Sequence, residues 1–331
     1  LGQGSVPRWD WAFCAPNVRA IVDRHPYALY IGTVAAVLLV ACGALRQAQD
    51  DTLPPKGAMA PKQVVEPNAE GRDLLYVSVL GNSGSTNIYT YPKAKFVSSL
   101  QPSSFKMCSN AAGEVFFTET YGIGEYPHGG STQTTFINAP FGSPRDCAID
   151  PTTGNLATVV QTNTVFGVAT YRPEHRHRWH APRVYNFTEP QEACSYDSAG
   201  NLFVAGFTSS RGLSLAELPK GKSAFETITL DTQVTPQGDM KWDGKYLAIG
   251  DFGDTVIHRF AINGTAGTQI GSLTLAHAKY IVQFWIQGDT LIGPDSYNRG
   301  VGFWRYPQGG APLKRLSVSA GSGVTVSLAR R

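Results

Sequence analysis

Charge is scarce in this chain. Only 16% of its 331 residues are Asp, Glu, Lys or Arg, against roughly 25% in an average soluble domain. With aromatics at 11%, the composition excludes a disordered chain, which is charge-rich and aromatic-poor. It also excludes a coiled coil, which is crowded with Ala, Glu, Lys and Leu. A net charge of +3 is too small to mark nucleic acid or an anionic surface as the partner. Several chemical signatures are missing too. The sequence has no CxxC pair, no GxSxG elbow and no Walker or dinucleotide-binding loop. Cysteine-based zinc sites, hydrolase triads and nucleotide chemistry therefore have no support in sequence. What is abundant is turn formers: 35 Gly and 21 Pro, about one residue in six.

Residues 27–41, YALYIGTVAAVLLVA, are 15 uncharged positions behind Arg19, Arg24 and His25. A spanning helix needs about 20 apolar residues, whereas this length suits the core of a secretory signal. The end of the run, Leu39-Val40-Ala41-Cys42, resembles the bacterial lipobox. That resemblance implies that Cys42 carries diacylglycerol and becomes the mature amino terminus. A small residue at position 41 admits the peptidase, and only the cysteine sulfur accepts a thioether lipid. Two or three acyl chains exceed what stable anchoring requires. The alternatives are an ordinary signal peptide, or a short membrane segment in which Cys42 is incidental; Cys14 is given no role. Residues 43–72 show no strand-like alternation, and Pro54, Pro55, Pro61 and Pro67 interrupt regular structure. They read as a flexible tether. The expected organisation is a signal and lipobox over 1–42, a tether over 43–72 and a folded domain over 73–331. The expected location is the bacterial cell envelope, on its periplasmic or surface side.

From residue 73 the chain repeats. Short apolar strands begin at Leu74, Glu114, Asn155, Asn201, Lys245 and Asp289, at spacings of 40, 41, 46, 44 and 44 residues. A period of about 40–45 residues with several strands per unit predicts propeller blades. The strand before each one repeats as well, in FKMCSNAAGE, RDCAIDPTTGN, EACSYDSAGN and GDMKWDGK. Asn or Asp followed by Gly predicts a hairpin turn there. A third strand often ends in an aromatic residue and Pro, as in NIYTYPK and VGFWRYPQGG; a more variable fourth follows. The first unit lacks an innermost strand before Leu74, and GSGVTVSL at 321–328 follows a complete sixth unit. The C-terminal strand is therefore expected to complete blade one and remove a free edge. The predicted fold is all-β: a six-bladed propeller of four-stranded antiparallel blades. Two stacked sandwiches would not explain a sustained six-fold period.

The segment Pro190 to Ala205, with its Pro-x-x-x-strand-Asp-x-x-Gly-Asn-strand pattern, resembles the NHL-type six-bladed propeller. That superfamily includes SMP-30/gluconolactonase-like and streptogramin-lyase-like proteins. The Tyr-Pro-x-Gly-Gly endings at 126–130 and 306–310, together with the lipobox, resemble bacterial propeller lipoproteins. These motifs specify architecture well and activity poorly, because function resides in sites placed on a fold.

Three cysteines fall on successive innermost strands. Cys147 and Cys194 stand three residues before Asp150 and Asp197, whereas Cys108 stands two before Asn110. Side chains alternate faces along a strand, so Cys108 points opposite to the other two and towards blade three. A Cys108–Cys147 disulfide with Cys194 as a buried free thiol is one expectation. Three buried thiols are the other.

The gluconolactonase-like resemblance implies a divalent metal in a central top pocket, held by carboxylates and an Asn. Loops entering the first strands offer Arg145, Asp146, Glu192 and Asp239. Loops leaving the second strands offer Glu119, Asp251, Asp254, Asp295 and Asn298. Such oxygens suit Ca²⁺ or Mg²⁺, although Asp and Asn at strand ends commonly hold turns instead. The segment EHRHRWH at 174–180 is expected in the loop joining the outer strands of blade three. Its three histidines, His175, His177 and His180, could bind a metal, although the neighbouring Arg charges disfavour a cation. Arg172, Arg176, Arg178 and Arg183 are candidates for binding an anion such as a sugar acid or lipid headgroup, and the bland reading is a solvated basic loop. Taken together, the chain reads as a monomeric, lipid-anchored binding or scaffold module for a protein or glycan partner. The alternative is a metal-dependent lactonase or lyase working in the central pocket.

Overall fold

The computed structural model describes residues 69–330 apart from 70, 80–83, 102–103, 211, 236–237 and 252–254. Cys42, the signal stretch, the tether up to residue 68, and Asp254 lie outside the described residues.

The building unit is a hairpin closed by an Asn or Asp side chain. Asn110 Oδ1 accepts the backbone N–H groups of Ala112 (3.0 Å) and Glu114 (2.9 Å). Asp197 does the same for Ala199 (2.9 Å) and Asn201 (2.8 Å), and Asp243 for Lys245 (3.0 Å) and Tyr246 (2.7 Å). These bonds satisfy backbone donors that a tight turn would strand. Gly200, at φ +90°, takes a left-handed backbone that other residues rarely adopt, and a Cβ there would lie 2.8 Å from Thr152 Oγ1.

Among the described residues the hairpins extend into six blade sheets, with one further two-stranded hairpin at the rim of blade three. Blade one is ordered Ala320–Ser327, Leu74–Val79, Ser85–Thr90 and Phe96–Leu100 from the axis outwards. Blade two contains Met107–Ser109, Val115–Thr118, Gly122–Tyr126 and Thr135–Asn138. Blade three contains Ser143–Ile149, Leu156–Gln161, Phe166–Tyr171 and Arg183–Phe187. Blade four contains Gln191–Tyr196, Leu202–Phe207, Leu213–Leu218 and Glu226–Thr227. Blade five contains Met240–Trp242, Leu247–Asp251, Val256–Asn263 and Ala266–Thr274. Blade six contains Trp285–Gln287, Thr290–Asp295, Gly300–Arg305 and Lys314–Ser317. The protein is a six-bladed β-propeller. Its ring is closed by antiparallel pairing of Leu74 with Ser327, Tyr76 with Thr325 and Val77 with Val324.

One blade departs from the simple repeat. The segment expected as a single outer strand of blade four divides at Ile228. Glu226–Thr227 stays with blade four, while Thr229–Leu230 pairs in parallel with Ala266–Gly267 of blade five. Ile228 is buried between the two blades and its N–H still donates to Leu215 O (2.9 Å). The crossing is possible because Gly267 has no side chain: a Cβ there would meet Leu230 Cδ2 at 2.4 Å.

Six hydrophobic clusters fill the seams between neighbouring blades. Alternation along each strand feeds two seams at once. Leu74 and Tyr76 pack towards blade two, whereas Leu75 and Val77 pack towards blade six. Cys108 and Cys147 share the seam between blades two and three. They are joined by a disulfide with a Cα–Cα distance of 5.7 Å, within the usual bridging range. Cys194 is a buried free thiol.

Candidate functional site

At the axis, the starts of the innermost strands contribute polar residues to one buried cluster. Lys106 of blade two donates to the Glu192 carbonyl (2.9 Å) and to Asp239 Oδ1 (3.4 Å), and its Nζ lies 3.8 Å from Asp146 Oδ2. Lys241 Nζ lies 3.1 Å from Asp239 Oδ2 and 4.0 Å from Asp146 Oδ2. Lys106, Asp146 and Asp239 are essentially inaccessible to solvent. Their remaining acceptors bind backbone. Asp146 accepts from Cys147 and Cys194, both at 2.9 Å, and Asp239 accepts from Phe284 (3.1 Å). Gln283 completes the layer. Its Oε1 accepts from Met107 (3.1 Å) and Val324 (2.8 Å), and its Nε2 donates to Met107 O (2.7 Å). The cluster thereby ties together all six blades.

Two ammonium groups balance two carboxylates here. Burial pushes the Asp146 carboxyl up, and Lys106 and Lys241 pull it partly back. Burial opposes the Lys241 charge, but Asp146 and Asp239 outweigh it and hold the ammonium above the ordinary lysine range. Asp146 Oδ2 and both Asp239 oxygens already lie within 4.0 Å of an ammonium, so a cation added at these two carboxylates would encounter like charge.

Beside this cluster is an axial cavity of about 150 Å³, lined by Cys108, Cys194, Ser195, Lys241, Trp242 and Trp285 among others. The Trp242 indole donates to Ser198 Oγ (3.0 Å) and stacks on Phe203. Burial pushes the Cys194 thiol well up, and the Asp146 charge adds to the effect.

Asp146 and Asp239 thus converge, and the other predicted ligands among the described residues make contacts of their own. Arg145 lies over the Phe105 ring (4.4 Å), with Nε 3.4 Å from Glu192 Oε2. Asp251 accepts from Thr235 N–H (3.0 Å). Asp295 accepts from Lys279 N–H (3.1 Å) and from the Asn298 side-chain amide (2.6 Å), which also reaches His277 O (3.1 Å). Both aspartates therefore tie loops down. Glu119 is half-buried with Oε1 unpaired among the described residues, and burial raises its pKa. Sequence reasoning missed Lys106, Lys241 and Gln283. The signal was register: Lys106, Asp146 and Asp239 each stand four residues before the turn residue Asn110, Asp150 or Asp243.

The basic segment of blade three forms its own hairpin, Pro173–Glu174 against Arg178–Trp179. Arg178 makes a two-point contact with Glu174 (2.6 and 3.1 Å). Arg183 instead donates to Ser223 O (3.2 Å). Arg172 and Arg176 are exposed. The two engaged guanidinium groups are committed in different directions. The hairpin bends back onto blade two, where Trp179 meets the Phe116 ring edge-on (5.9 Å) and donates to Glu125 Oε2 (3.0 Å).

This architecture defines a β-propeller whose axis is sealed by a neutralised polar cluster. No family model matches the chain, and no curated protein matches it. Solved propellers do resemble it. A chain of a nidogen/laminin complex has a TM-score of 0.61 at 15% identity, covering 79% of this chain and 100% of its own. A Bacteroides caccae protein of unknown function has 0.58 at 13%, covering 77% and 99%. A candidate 6-phosphogluconolactonase from Bacteroides fragilis has 0.53 at 10%, covering 78% and 98%. At these identities the likeness concerns the fold.

Proposed function

We propose that the protein is a binding or scaffold module of the bacterial cell envelope, related to the NHL and SMP-30-like propellers, lipid-anchored through Cys42, and presenting its surface to a protein or glycan. The observation that carries this reading is the saturation of the axial cluster. Asp146 and Asp239, the two predicted ligands that meet at the axis, are engaged by Lys106, Lys241 and backbone N–H groups. The Cys108–Cys147 disulfide supports export to an oxidising compartment. A groove of about 590 Å³ between blades four and five offers a contact surface. Its floor includes Leu213, Leu215, Ile228 and Val234, and its rim carries Thr227 and Gln233.

The test is a glycan array and a peptide library probed with the full chain, repeated with Leu213→Asp in the groove. Saturable binding lost in the variant supports the reading. Turnover of 6-phosphogluconolactone well above the uncatalysed rate, dependent on added Ca²⁺ or Mg²⁺, would replace it with the lactonase.

A further inference from the structure

The blade-three hairpin brings one histidine to two carboxylates of blade two. His177 Nδ1 lies 2.7 Å from Glu125 Oε1 and 3.7 Å from Glu114 Oε1. One ligand atom from each of the three residues lies within 4.8 Å of the others. Each carboxylate has its second oxygen tied back. Trp179 Nε1 donates to Glu125 Oε2 (3.0 Å), and Asn110 Nδ2 donates to Glu114 Oε2 (2.6 Å). Outer partners of this kind fix a metal ligand's orientation. The imidazole is held in place by its own backbone. Arg176 and His177 adopt φ of +63° and +57° at the tip of the hairpin, and the His177 carbonyl accepts the Thr135 hydroxyl of blade two. Positive φ is uncommon for residues other than glycine.

We propose that Glu114, Glu125 and His177 form a surface site for a divalent transition metal, Zn²⁺ in the first place, which clamps the blade-three hairpin onto blade two. Zinc sites bind His nitrogen and carboxylate oxygen at about 2.0–2.2 Å, which for a tetrahedral ion puts neighbouring ligand atoms about 3.3 Å apart. The observed His177 separations of 2.7 and 3.7 Å bracket that spacing, and the two carboxylates lie within 4.8 Å of each other, so side-chain adjustment without backbone movement would seat the ion. One nitrogen and two carboxylates suit zinc better than Ca²⁺, which takes six to eight oxygens. The charges also agree. Glu125 is buried, and the nearby Arg178 is directed onto Glu174. The His177 side chain is 43% exposed, which leaves a path for the ion and a fourth position for water.

The experiment is calorimetric titration of Zn²⁺ into the untagged, metal-stripped full chain at pH 7.5, with Glu114→Gln, His177→Ala and His175→Ala alongside. Glu114→Gln retains the His177–Glu125 contact and so preserves the fold. Circular dichroism of each variant verifies this. The expected result is one ion per chain, affinity reduced at least tenfold in Glu114→Gln and His177→Ala, and no change in His175→Ala. Absence of saturable Zn²⁺ binding overturns the proposal. So does binding that Glu114→Gln and His177→Ala leave intact, or that His175→Ala abolishes.

Discussion

Replacing Lys106 with Met removes one of the two ammonium groups at the axis while retaining most of the side chain's volume. The ammonium meets Asp239 at 3.4 Å, Asp146 at 3.8 Å and the Glu192 carbonyl at 2.9 Å. Without it, two buried carboxylates share Lys241 alone. Removing one partner of a buried ion pair typically costs about 3–5 kcal/mol, because the remaining charge is stranded out of water. In a domain of this size each kcal/mol lowers Tm by about 2–4 °C, so the melting point of Lys106→Met should fall by about 6–20 °C. Urea denaturation followed by circular dichroism measures the loss directly. Asp239→Asn alone and the double variant complete a cycle, and the coupling should exceed about 1 kcal/mol. If Lys106→Met stays within about 1 kcal/mol of the parent, the cluster does not hold the ring together as argued.

Glu119→Gln should raise Tm at neutral pH. Burial raises the Glu119 pKa, so its ionised form is disfavoured in the fold. The gain should shrink as pH falls through the raised value and the native carboxyl takes up its proton. Asp150 and Asp243 behave in the opposite way. Burial would raise each, but the Thr153 and Thr152 hydroxyls hold Asp150 low, and Tyr306 with the Tyr246 N–H and Arg259 does so for Asp243. Their contribution is present above the ordinary aspartate pKa of about 4 and is lost as pH falls through the depressed folded values; melts from pH 6 to pH 2 should show the decline, reduced in Asp243→Asn. Breaking the Cys108–Cys147 bridge with Cys147→Ser should cost about 4 kcal/mol by the loop-entropy relation, applied to its 39-residue separation and read by urea denaturation. The Cys194 thiol should resist alkylation in the native protein and react after denaturation, as followed by peptide mass spectrometry.

The fold was legible because the propeller writes itself into sequence twice, as a period of about 43 residues and as strand alternation. Leu74 to Val77 look apolar throughout because successive side chains serve different seams. The axial cluster was harder to read. Asp146 and Asp239 were visible as carboxylates at strand starts, but an acidic residue suggests a metal as readily as an ammonium. The deciding groups, Lys106 and Lys241, look like ordinary surface lysines until register places them at the axis. His177 was less accessible still. Its partners Glu114 and Glu125 belong to another blade, and no periodicity within blade three indicates which way a rim hairpin will bend. The division at Ile228 was hidden for a related reason: nothing in the sequence marks where the segment changes sheet, and the space above Gly267 admits Leu230 to the second.

Closure by the strand Ala320–Ser327 also sets a schedule. A ribosome delivers Leu74–Val79 about 250 residues ahead of the segment that must flank it, and such long-range pairing is slow. Until then the opening sheet presents a bare edge, with Leu75 and Val77 beside it, to any other nascent chain. Transcripts broken late in the reading frame would yield products with five finished blades and one adhesive rim. Such products should appear in inclusion bodies or as proteolytic debris rather than as partly active protein.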